Sequence, residues 1–452
     1  MKIILAACLT LLFSSVVLCA DTSISWQSCK EAVQANNFAK YCGVLTTKNA
    51  ALPLITIDSQ AQRSTAHRPT NDKALIYIGG GPGVGRQTAN THIQRWLRYF
   101  SVIDRDFDLV FYEQRGTAGA TPFLGCTEFF VKEQARFSKN LAIEADARAY
   151  QLHFSECLDA LVTKNFNLAL FKAIYHQQDL DKLLEALPYS QVYLVAESWG
   201  AWLATQTQHK KIKGLILDSP LLAGMESARK PEKLHAHQRQ LYRERFSDFD
   251  QVYRRAEKQL QGKVYTYQGF VLNAGRLREL AVFSLYSEIY RTEFFRALVQ
   301  LKDWGKKNSA SIATLDGLIA AYQESYFDPD FSIATWLLST CDLQIPTAGE
   351  SKDDYIRASR NNNPCHLLEN QQASKVIAPP VLNSNTLVFA GRADPVIPFK
   401  ALEKQLSSHQ NVTLLDFANA GHGIILGDYC EAFVLANFIA GRALDHERHC
   451  FK

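Results

Sequence analysis

The chain has 452 residues, of which 47% are hydrophobic and 21% are charged. This composition is typical of a globular protein, and the length suits one large core that carries an insertion. The formal net charge is only +4, and the Lys and Arg residues are dispersed. These values exclude a strongly basic nucleic-acid-binding surface.

The first twenty residues have the pattern of a secretory signal. Lys2 precedes an apolar stretch from Ile3 to Leu18, and Cys19, Ala20 and Asp21 follow it. These sixteen residues are fewer than the ~20 that span a bilayer. We therefore predict a cleaved signal peptide over 1–20 and a periplasmic or extracellular product without stable membrane insertion. A membrane anchor and a buried first helix are the alternatives.

Eight cysteines remain outside this segment, with no Cys-x-x-Cys pair and no clustered His. An even number in this arrangement argues for disulfides rather than a zinc site, and free thiols in a cytosolic protein are the alternative. Pairing between sequence neighbours is the natural arrangement, although other connectivities remain open. The predicted bridges are Cys29–Cys42, Cys126–Cys157, Cys341–Cys365 and Cys430–Cys450.

Short apolar runs recur along the chain and alternate with helical sequence such as 178–187. This alternation indicates an α/β fold with a mostly parallel sheet flanked by helices on both faces. In such sheets, sites form at the carboxyl ends of the strands. The predicted strands are Ala74–Ile78, Asp108–Glu113, Gln191–Ala196, Gly214–Asp218, Thr386–Ala390 and Val412–Phe417.

The strand pattern stops after Ser219 and resumes after about Pro380, with helical sequence rich in Tyr and Arg between them. Because the strand pattern resumes, we predict a mostly helical lid inserted between two strands, rather than an independent second domain. The predicted core parts are 21–220 and 381–452, with the lid over 221–380. The predicted lid helices are Glu232–Phe246, Asp250–Gln261, Gly275–Leu301 and Ser311–Tyr326.

Ser198 is the candidate nucleophile. It stands between an apolar strand and a helix, with Ala196 and Gly200 at the two small positions of a Gly-x-Ser-x-Gly elbow. Such a turn raises the Ser hydroxyl above the sheet, beside the positive end of the following helix. An ordinary strand-to-helix turn is the alternative.

A glycine-rich loop, 79–85, follows the strand Ala74–Ile78. Consecutive glycines allow backbone N–H groups to approach a reacting carbonyl, as an oxyanion hole requires. We predict donors from Trp199, the residue after the nucleophile, and from Gly81 or, as second choice, Gly80. A phosphate-binding loop is the alternative, but a Gly-Lys-Ser/Thr sequence is missing.

Asp394 and His422 complete the predicted triad. Each lies just past a later strand, in the chain order acid then His that this arrangement requires. His422 would take the proton of Ser198 and return it to the leaving group, while Asp394 orients the imidazole and stabilises its charged form. No metal or cofactor is predicted.

Together these motifs resemble the exported tripeptidyl-aminopeptidase-like and prolyl-aminopeptidase-like serine peptidases of the α/β-hydrolase superfamily. The resemblance extends from Cys29 to the C-terminus, apart from the lid. It implies the α/β-hydrolase fold and hydrolysis of N-terminal peptide bonds through an acyl-enzyme. The segments that carry it are 79–83, 112–119, 197–200, 391–398 and 421–423, together with Cys29, Cys42, Cys126 and Cys430.

The sequence departs from this family at Glu113, where the family usually has Asp. Glu113, Arg115 and Glu197 are candidates for a charge network that supports the oxyanion loop; a structural ion pair distant from substrate is the alternative. In this family, lid carboxylates hold the α-amino group of the peptide. The candidates for substrate binding are Glu197 and the lid acids Glu324 and Asp328, with Glu288 and Asp330 as further lid candidates.

Two other functions remain open. The same triad serves an esterase or lipase, and a binding protein can keep the hydrolase scaffold without turnover. The expected partner is a peptide or a small acyl substrate.

Overall fold

A computed structural model describes most of the chain. The described residues are 23–29, 39–58, 68–69, 71–100, 107–225, 227–304, 311–343, 353, 356–358, 364–368, 380, 382, 384–426, 429–442 and 444. The predicted signal peptide and Cys450 lie outside them.

The described part contains a nine-stranded sheet and a separate two-stranded hairpin. The strands are β1 Ile24–Gln27, β2 Ala39–Thr47, β3 Ala50–Asp58, β4 Lys73–Ile78, β5 Asp108–Tyr112, β6 Gln191–Glu197, β7 Ile212–Asp218, β8 Tyr265–Tyr267, β9 Phe270–Leu272, β10 Asn385–Gly391 and β11 Val412–Phe417. The order in the large sheet is β1-β2-β3-β5-β4-β6-β7-β10-β11. The first three strands are antiparallel to their neighbours, and the six from β5 to β11 are mutually parallel. The predicted mostly parallel sheet is therefore confirmed.

The antiparallel strands β1, β2 and β3 are absent from the sequence-based prediction. β2 and β3 form a long hairpin whose turn contains Asn49 at φ 60°. Asn tolerates this left-handed conformation better than most residues, and its place between two apolar runs is the hairpin signal that the prediction missed.

Thirteen α-helices with defined bounds lie beside the sheet and in the predicted lid segment. They are α1 Asn90–Phe100, α2 Thr127–Phe137, α3 Ile143–Thr163, α4 Ala173–Ala186, α5 Trp199–Gln206, α6 Pro231–Arg245, α7 Phe249–Gly262, α8 Ala274–Ser284, α9 Glu288–Trp304, α10 Ala313–Tyr326, α11 Ile333–Asp342, α12 Phe399–Leu406 and α13 Tyr429–Ile439.

The sheet is buried on both faces. Leu194 of β6 packs into a cluster that includes residues of α4, α5 and α12. The next residue, Val195, packs on the opposite face against residues of α1 and α13. Successive residues of a strand point to opposite faces, and here both faces are apolar. This is why the parallel strands read as continuous apolar runs.

The helices α6 to α10 and the hairpin β8–β9 lie between β7 and β10 in the chain and share an apolar cluster of their own. The helix predicted over Gly275–Leu301 is two helices, α8 and α9. The turn between them contacts the loop after β11, where a Cβ on Gly421 would lie 2.4 Å from the carbonyl oxygen of Tyr286. This break joins the lid to the edge of the sheet where the parallel strands end.

The helices α2 and α3 lie outside the predicted lid segment but pack beside it. Phe137 of α2 belongs to the lid cluster, and Phe154 of α3 packs with Leu337 of α11. Among the described helices, none is long and apolar enough to cross a membrane.

Three disulfides join cysteines that are neighbours in sequence. They are Cys29–Cys42, Cys126–Cys157 and Cys341–Cys365. Cys430 is also disulfide-bonded, and its predicted partner, Cys450, lies beyond the described residues. Disulfides of this kind form and persist in oxidising compartments.

Candidate active site

Ser198 lies between β6 and α5 in a strained backbone conformation, with φ 50° and ψ −112°. A positive φ is unfavourable for a residue with a Cβ, and such strain is concentrated at functional sites. The peptide nitrogen of Ser198 donates to the carbonyl oxygen of Asp218 on β7 at 2.9 Å. A Cβ on Gly200 would lie 2.3 Å from the carbonyl oxygen of Ile78. The turn therefore requires glycine at that position.

Asp394 and His422 form a hydrogen-bonded pair, with 2.8 Å between Oδ2 of the acid and Nδ1 of the ring. The second carboxylate oxygen, Oδ1, accepts hydrogen bonds from the peptide nitrogens of Val396 and Ile397 at 2.7 and 2.8 Å. These bonds fix the carboxylate on both sides. Because an ionised carboxylate only accepts, the ring donates from Nδ1 and keeps Nε2 as its acceptor.

The pKa of His422 is raised above its usual value. Burial favours the neutral ring and by itself lowers the pKa, but the charge of Asp394 and its hydrogen bond outweigh burial. The carboxylates of Glu197 and Asp218 act in the same direction. This imidazole is therefore a stronger base than an isolated one.

The loops that carry the acid and the histidine touch each other. A Cβ on Gly391, the last residue of β10, would lie 2.2 Å from the carbonyl oxygen of Gly421. Since β10 and β11 are parallel neighbours, their carboxyl ends lie at the same edge of the sheet. This arrangement brings Asp394 and His422 together from positions 28 residues apart.

The loop after β4 passes close to Ser198. A Cβ on Gly80 would lie 3.3 Å from the Cβ of Ser198, and Gly81 has φ 113°, which favours glycine. Trp199 is the first residue of α5, so its peptide N–H has no partner within the helix. Gly80 and Trp199 thus adjoin Ser198, and Gly81 follows Gly80.

The charge network expected among Glu113, Arg115 and Glu197 is wrong. Their partners are Thr88 for Glu113 (2.8 and 2.6 Å), Asp179 for Arg115 (2.6 Å) and Tyr77 for Glu197 (2.8 Å). The Arg115 side chain is directed towards α4, because a buried guanidinium needs a carboxylate partner and α4 supplies one. Glu113 instead accepts hydrogen bonds from the backbone and hydroxyl of Thr88, three residues after the glycine-rich loop.

Gln114 connects the glycine-rich loop with the nucleophile elbow, a role that the sequence did not reveal. Its Nε2 donates to the carbonyl oxygen of Gly79 at 2.8 Å. Its Oε1 accepts from the indole nitrogen of Trp199 at 3.2 Å. Gln114 is 2% exposed, so both bonds are protected from water. Its place between Glu113 and Arg115 in the family motif was the only sequence signal.

A cavity of about 860 Å³ is lined mainly by residues of the predicted lid segment and by two residues of α2. Val84 of the glycine-rich loop lines it, and so does Tyr286, whose ring lies 5.7 Å from the ring of His422. Polar side chains, including those of Arg229 and His235, also line it. Its other aromatic lining residues are Phe129, Phe130, Phe283, Tyr322, Tyr326 and Phe331. The cavity therefore has a mixed aromatic and polar lining, and it adjoins the candidate base through Tyr286.

Two carboxylates of the described residues line this cavity, those of Glu279 and Asp328. Asp328 was among the predicted substrate-binding residues, and Glu279 was not. Glu324 is exposed and does not line the cavity. It is two positions from both Tyr322 and Tyr326, which share the cavity-facing side of α10, and residues two apart on a helix do not share a face.

The other predicted carboxylates also lie outside the cavity lining. Glu197 is held beneath the site by Tyr77 of the neighbouring strand. Glu288 pairs with Arg245 at 3.5 Å, and Asp330 pairs with Arg86 at 3.0 Å on the surface. Each of these three acids thus has a partner elsewhere, a hydroxyl for Glu197 and an arginine for Glu288 and Asp330.

Glu279 is partly buried, and its Oε2 accepts a hydrogen bond from the hydroxyl of Tyr322 at 3.1 Å. Burial raises the pKa of Glu279, while the positive charges of Arg136 and Arg276 oppose the shift. A carboxylate in aromatic surroundings stabilises a bound cation more strongly than one in water does. No group of three or more His, Cys, Asp or Glu among the described residues is arranged to hold a metal ion.

Solved structures similar to this chain are hydrolases of several kinds. A proline iminopeptidase of Mycobacterium smegmatis shares 12% identity, with 90% of this chain and 99% of that chain covered and a TM-score of 0.43. An esterase of Exiguobacterium antarcticum shares 12% identity, with 87% and 95% covered and a TM-score of 0.39. An epoxide hydrolase from hot-environment metagenomes shares 16% identity, with 89% and 99% covered and a TM-score of 0.41.

A comparison with curated proteins finds no match. The family model of the alpha/beta hydrolase fold matches residues 73–429, well over half of the chain. This segment runs from β4 into the first residue of α13, and includes Ser198, Asp394 and His422. The chain therefore belongs to the alpha/beta hydrolase fold family.

Proposed function

We propose that the protein is an exported serine hydrolase that cleaves N-terminal peptide bonds. Ser198 is the nucleophile, His422 is the base, and Asp394 is the carboxylate that orients the imidazole. The observation that carries the proposal is the 2.8 Å bond between Asp394 and His422, on a loop beside the strained turn of Ser198. Such a pair activates a hydroxyl that is a weak nucleophile by itself.

The reaction proceeds in two halves. Nε2 of His422 takes the hydroxyl proton as Oγ of Ser198 attacks the carbonyl carbon, and the peptide N–H groups of Trp199 and Gly81 or Gly80 stabilise the oxyanion. The C–N bond then breaks, and His422 delivers its proton to the leaving amine. Water attacks the acyl-enzyme with His422 again as base, which releases the acid and restores Ser198.

The lid supports the choice of an aminopeptidase. Glu279 offers a carboxylate to a substrate ammonium group in a cavity with many aromatic side chains, and Asp328 also lines that cavity. A free N-terminal amine would pair with these groups, whereas a blocked amine has no positive charge to offer them. The bulky aromatic side chains favour apolar substrate residues at the remaining subsites.

An esterase is the second candidate, because aromatic walls also accept an apolar acyl chain and the same triad cleaves an ester. The two activities differ in their need for a free amine. An ester substrate without an amine makes no use of Glu279.

Export rests on the N-terminal pattern and on the disulfides. The predicted signal peptide over 1–20 lies outside the described residues. The three bridges indicate an oxidising compartment, which the periplasm and the extracellular medium both supply.

A fluorophosphonate probe tests the nucleophile. We expect labelling of the wild type and none of Ser198→Ala, with full labelling of Ser339→Ala, which removes another buried hydroxyl, on α11. An unlabelled wild type, or undiminished labelling of Ser198→Ala, would refute the serine hydrolase and favour a binding protein.

A substrate panel then separates the two activities. Aminoacyl anilides with a free amine should be cleaved, and their N-acetyl forms should not. Equal cleavage of both anilides contradicts the aminopeptidase. Turnover confined to acyl esters identifies an esterase.

A further inference from the structure

The turn after β7, at Asp218 and Ser219, is bonded to the nucleophile. The peptide nitrogen of Ser198 donates to the carbonyl oxygen of Asp218 at 2.9 Å, and that of Leu221 donates to the carbonyl oxygen of Ser198 at 3.0 Å. The peptide nitrogen of Ser219 donates to Phe389 of β10 at 2.9 Å. The turn is thus fixed both to the elbow and to the strand that precedes Asp394.

The side chains of the same turn bind the loop that carries His422. Oγ of Ser219 accepts a hydrogen bond from the peptide nitrogen of Gly423 at 2.9 Å. The carboxylate of Asp218 accepts from Ile424 at 2.9 and 2.8 Å and from Ile425 at 2.7 Å. The three residues that follow His422 in the chain are therefore all held by two side chains.

These two side chains also support each other. Oγ of Ser219 donates to Oδ1 of Asp218 at 3.0 Å, so the hydroxyl is satisfied as donor and as acceptor. Asp218 is 2% exposed and Ser219 1% exposed. In such an environment each hydrogen bond is stronger than at the surface. A buried polar group that lacks a partner there destabilises the folded protein.

The turn contains two features that destabilise the folded protein. Ser219 has φ 47°, a conformation that a residue other than glycine rarely adopts. Asp218 carries a carboxylate with almost no contact with water, next to a second carboxylate on Glu197, its register neighbour on β6. A buried charge beside a like charge is unfavourable. Strain of this kind persists where the surrounding structure enforces it, most often at functional sites.

We propose that Asp218 and Ser219 are positioning residues for the catalytic base: they bond to Ser198 and to the loop of His422, and so set the imidazole relative to the nucleophile. This inference rests on the proposed serine hydrolase function. Asp394 fixes the orientation of the imidazole ring by a hydrogen bond. The Asp218–Ser219 turn instead fixes the position of the backbone that carries His422.

Asp218 also influences the pKa of His422 through its charge. Glu197 faces it from β6, the hydroxyl of Tyr77 lies nearby on β4, and His422 lies on the loop above. Burial and the charge of Glu197 raise the pKa of Asp218, which the hydrogen bonds from the loop oppose. The negative charge of this group in turn contributes to the raised pKa of His422.

Two variants of Ser219 test the hydroxyl apart from the backbone strain. Ser219→Ala and Ser219→Gly both leave the peptide nitrogen of Gly423 without its acceptor, but only the glycine relieves the positive φ. We expect kcat/KM and the rate of fluorophosphonate labelling to fall about 10- to 100-fold in both, with KM within about twofold of wild type, because a displacement of about 1 Å has such an effect. Ser339→Ala is the matched control.

Asp218→Asn provides a readout that a merely structural role would not produce. In the wild type, the N–H groups of the loop donate to both carboxylate oxygens of Asp218, whereas an amide has only one acceptor oxygen. The substitution also removes a negative charge near His422. We expect a loss of activity at least as large as for Ser219→Ala, and a shift of the acid limb of the kcat/KM profile to lower pH. Thermal unfolding of each variant identifies any that fails to fold.

The outcomes separate the two proposals. A wild type that the probe does not label at Ser198 defeats the proposed function, and the positioning role with it. A labelled wild type, with folded Ser219→Ala and Ser219→Gly that react at the wild-type rate, overturns the positioning role alone. An unchanged acid limb in folded Asp218→Asn contradicts the effect of its charge on His422 and counts against the proposal in the same way.

Discussion

The indole nitrogen of Trp199 donates a hydrogen bond to Oε1 of Gln114 at 3.2 Å. The same side chain donates to the carbonyl oxygen of Gly79 at 2.8 Å. Gln114 therefore spans the two backbone segments from which we expect the oxyanion donors. An oxyanion hole works only if its donors are fixed before the charge develops.

Replacing Gln114 by Leu should leave the oxyanion donors less well fixed and should not change the substrate cavity. We expect kcat/KM to fall about 10-fold or more with little change in KM, because the lost interactions act mainly in the transition state. Steady-state kinetics measures this split. Gln206→Leu, at the far end of α5, is the matched control. A rise in KM with unchanged kcat would assign Gln114 to substrate binding instead.

Glu279→Gln should weaken substrates that carry a free amine. A hydrogen bond to a charged group contributes about 1.5–3 kcal/mol, so we expect KM for aminoacyl anilides to rise about 10- to 100-fold, while acyl esters without an amine keep their KM. Burial raises the pKa of Glu279, so this carboxylate should lose its charge at a higher pH than an exposed one does. The wild-type KM should therefore start to rise at a higher pH as the solution is made more acidic.

The control for Glu279 is Glu324→Gln, the same change at an exposed position of the lid. It should leave both classes of substrate unaffected. If Glu324→Gln raises KM and Glu279→Gln does not, the amine site lies elsewhere.

Activity should fall as the pH falls, because His422 acts as a base only when it is neutral. Its pKa is raised, so the acid limb of kcat/KM should lie above the unperturbed value of about 6.5. Asp394→Asn removes the charge that raises the pKa, so the limb should move to lower pH. The same change should reduce kcat by about 10⁴-fold, as in other triads.

A pH series of kcat/KM for the wild type and both Asn variants measures these shifts. Asp250→Asn, which changes a partly buried residue of the predicted lid paired with Arg239 and Arg243, should leave the limb in place. An acid limb that does not move in Asp394→Asn would exclude His422 as the titrating base.

Arg115→Met should destabilise the protein strongly. Arg115 and Asp179 form an ion pair with side chains only 2% and 3% exposed, and Arg115 also donates to the carbonyl oxygen of Leu170 at 2.8 Å. Removing one partner of a buried pair costs about 3–5 kcal/mol because the other charge stays buried. Urea denaturation gives the free energy of unfolding.

The comparison for Arg115 is Arg296→Met, which breaks a pair with Glu293 whose arginine side chain is 63% exposed. We expect a loss of at most about 1 kcal/mol there, as for surface pairs in general. Similar losses in the free energy of unfolding of the two variants would show that the buried pair stabilises the protein no more than a surface pair does.

The architecture was predictable where the signals are local. Continuous apolar runs mark strands that are buried on both faces, and all six predicted strands are present within a few residues of their predicted ends. The hairpin β2–β3 was missed because its strands lie at the antiparallel side of the sheet and their pattern is less uniformly apolar. The turn within 275–301 was missed because Leu285 and Tyr286 continue the helical apolar pattern while long-range packing breaks the helix.

The candidate site divides in the same way. Asp394 and His422 follow from short motifs at strand ends, and the structure brings their side chains into hydrogen-bond contact; their catalytic roles stay predictions. Glu324 and Glu279 are both acidic residues on amphipathic lid helices. Only the docking of the lid decides which of the two helix faces lines the cavity.

By itself, the sequence determined the six parallel strands and the places of the candidates Ser198, Asp394 and His422 just past strand ends, because turns and periodic burial depend on neighbouring residues. The tertiary structure decided which distant side chains meet. Arg115 pairs with Asp179, Gln114 reaches Trp199, and Asp218 holds the loop of His422. Such contacts depend on the packing of whole elements against each other, which no local pattern records.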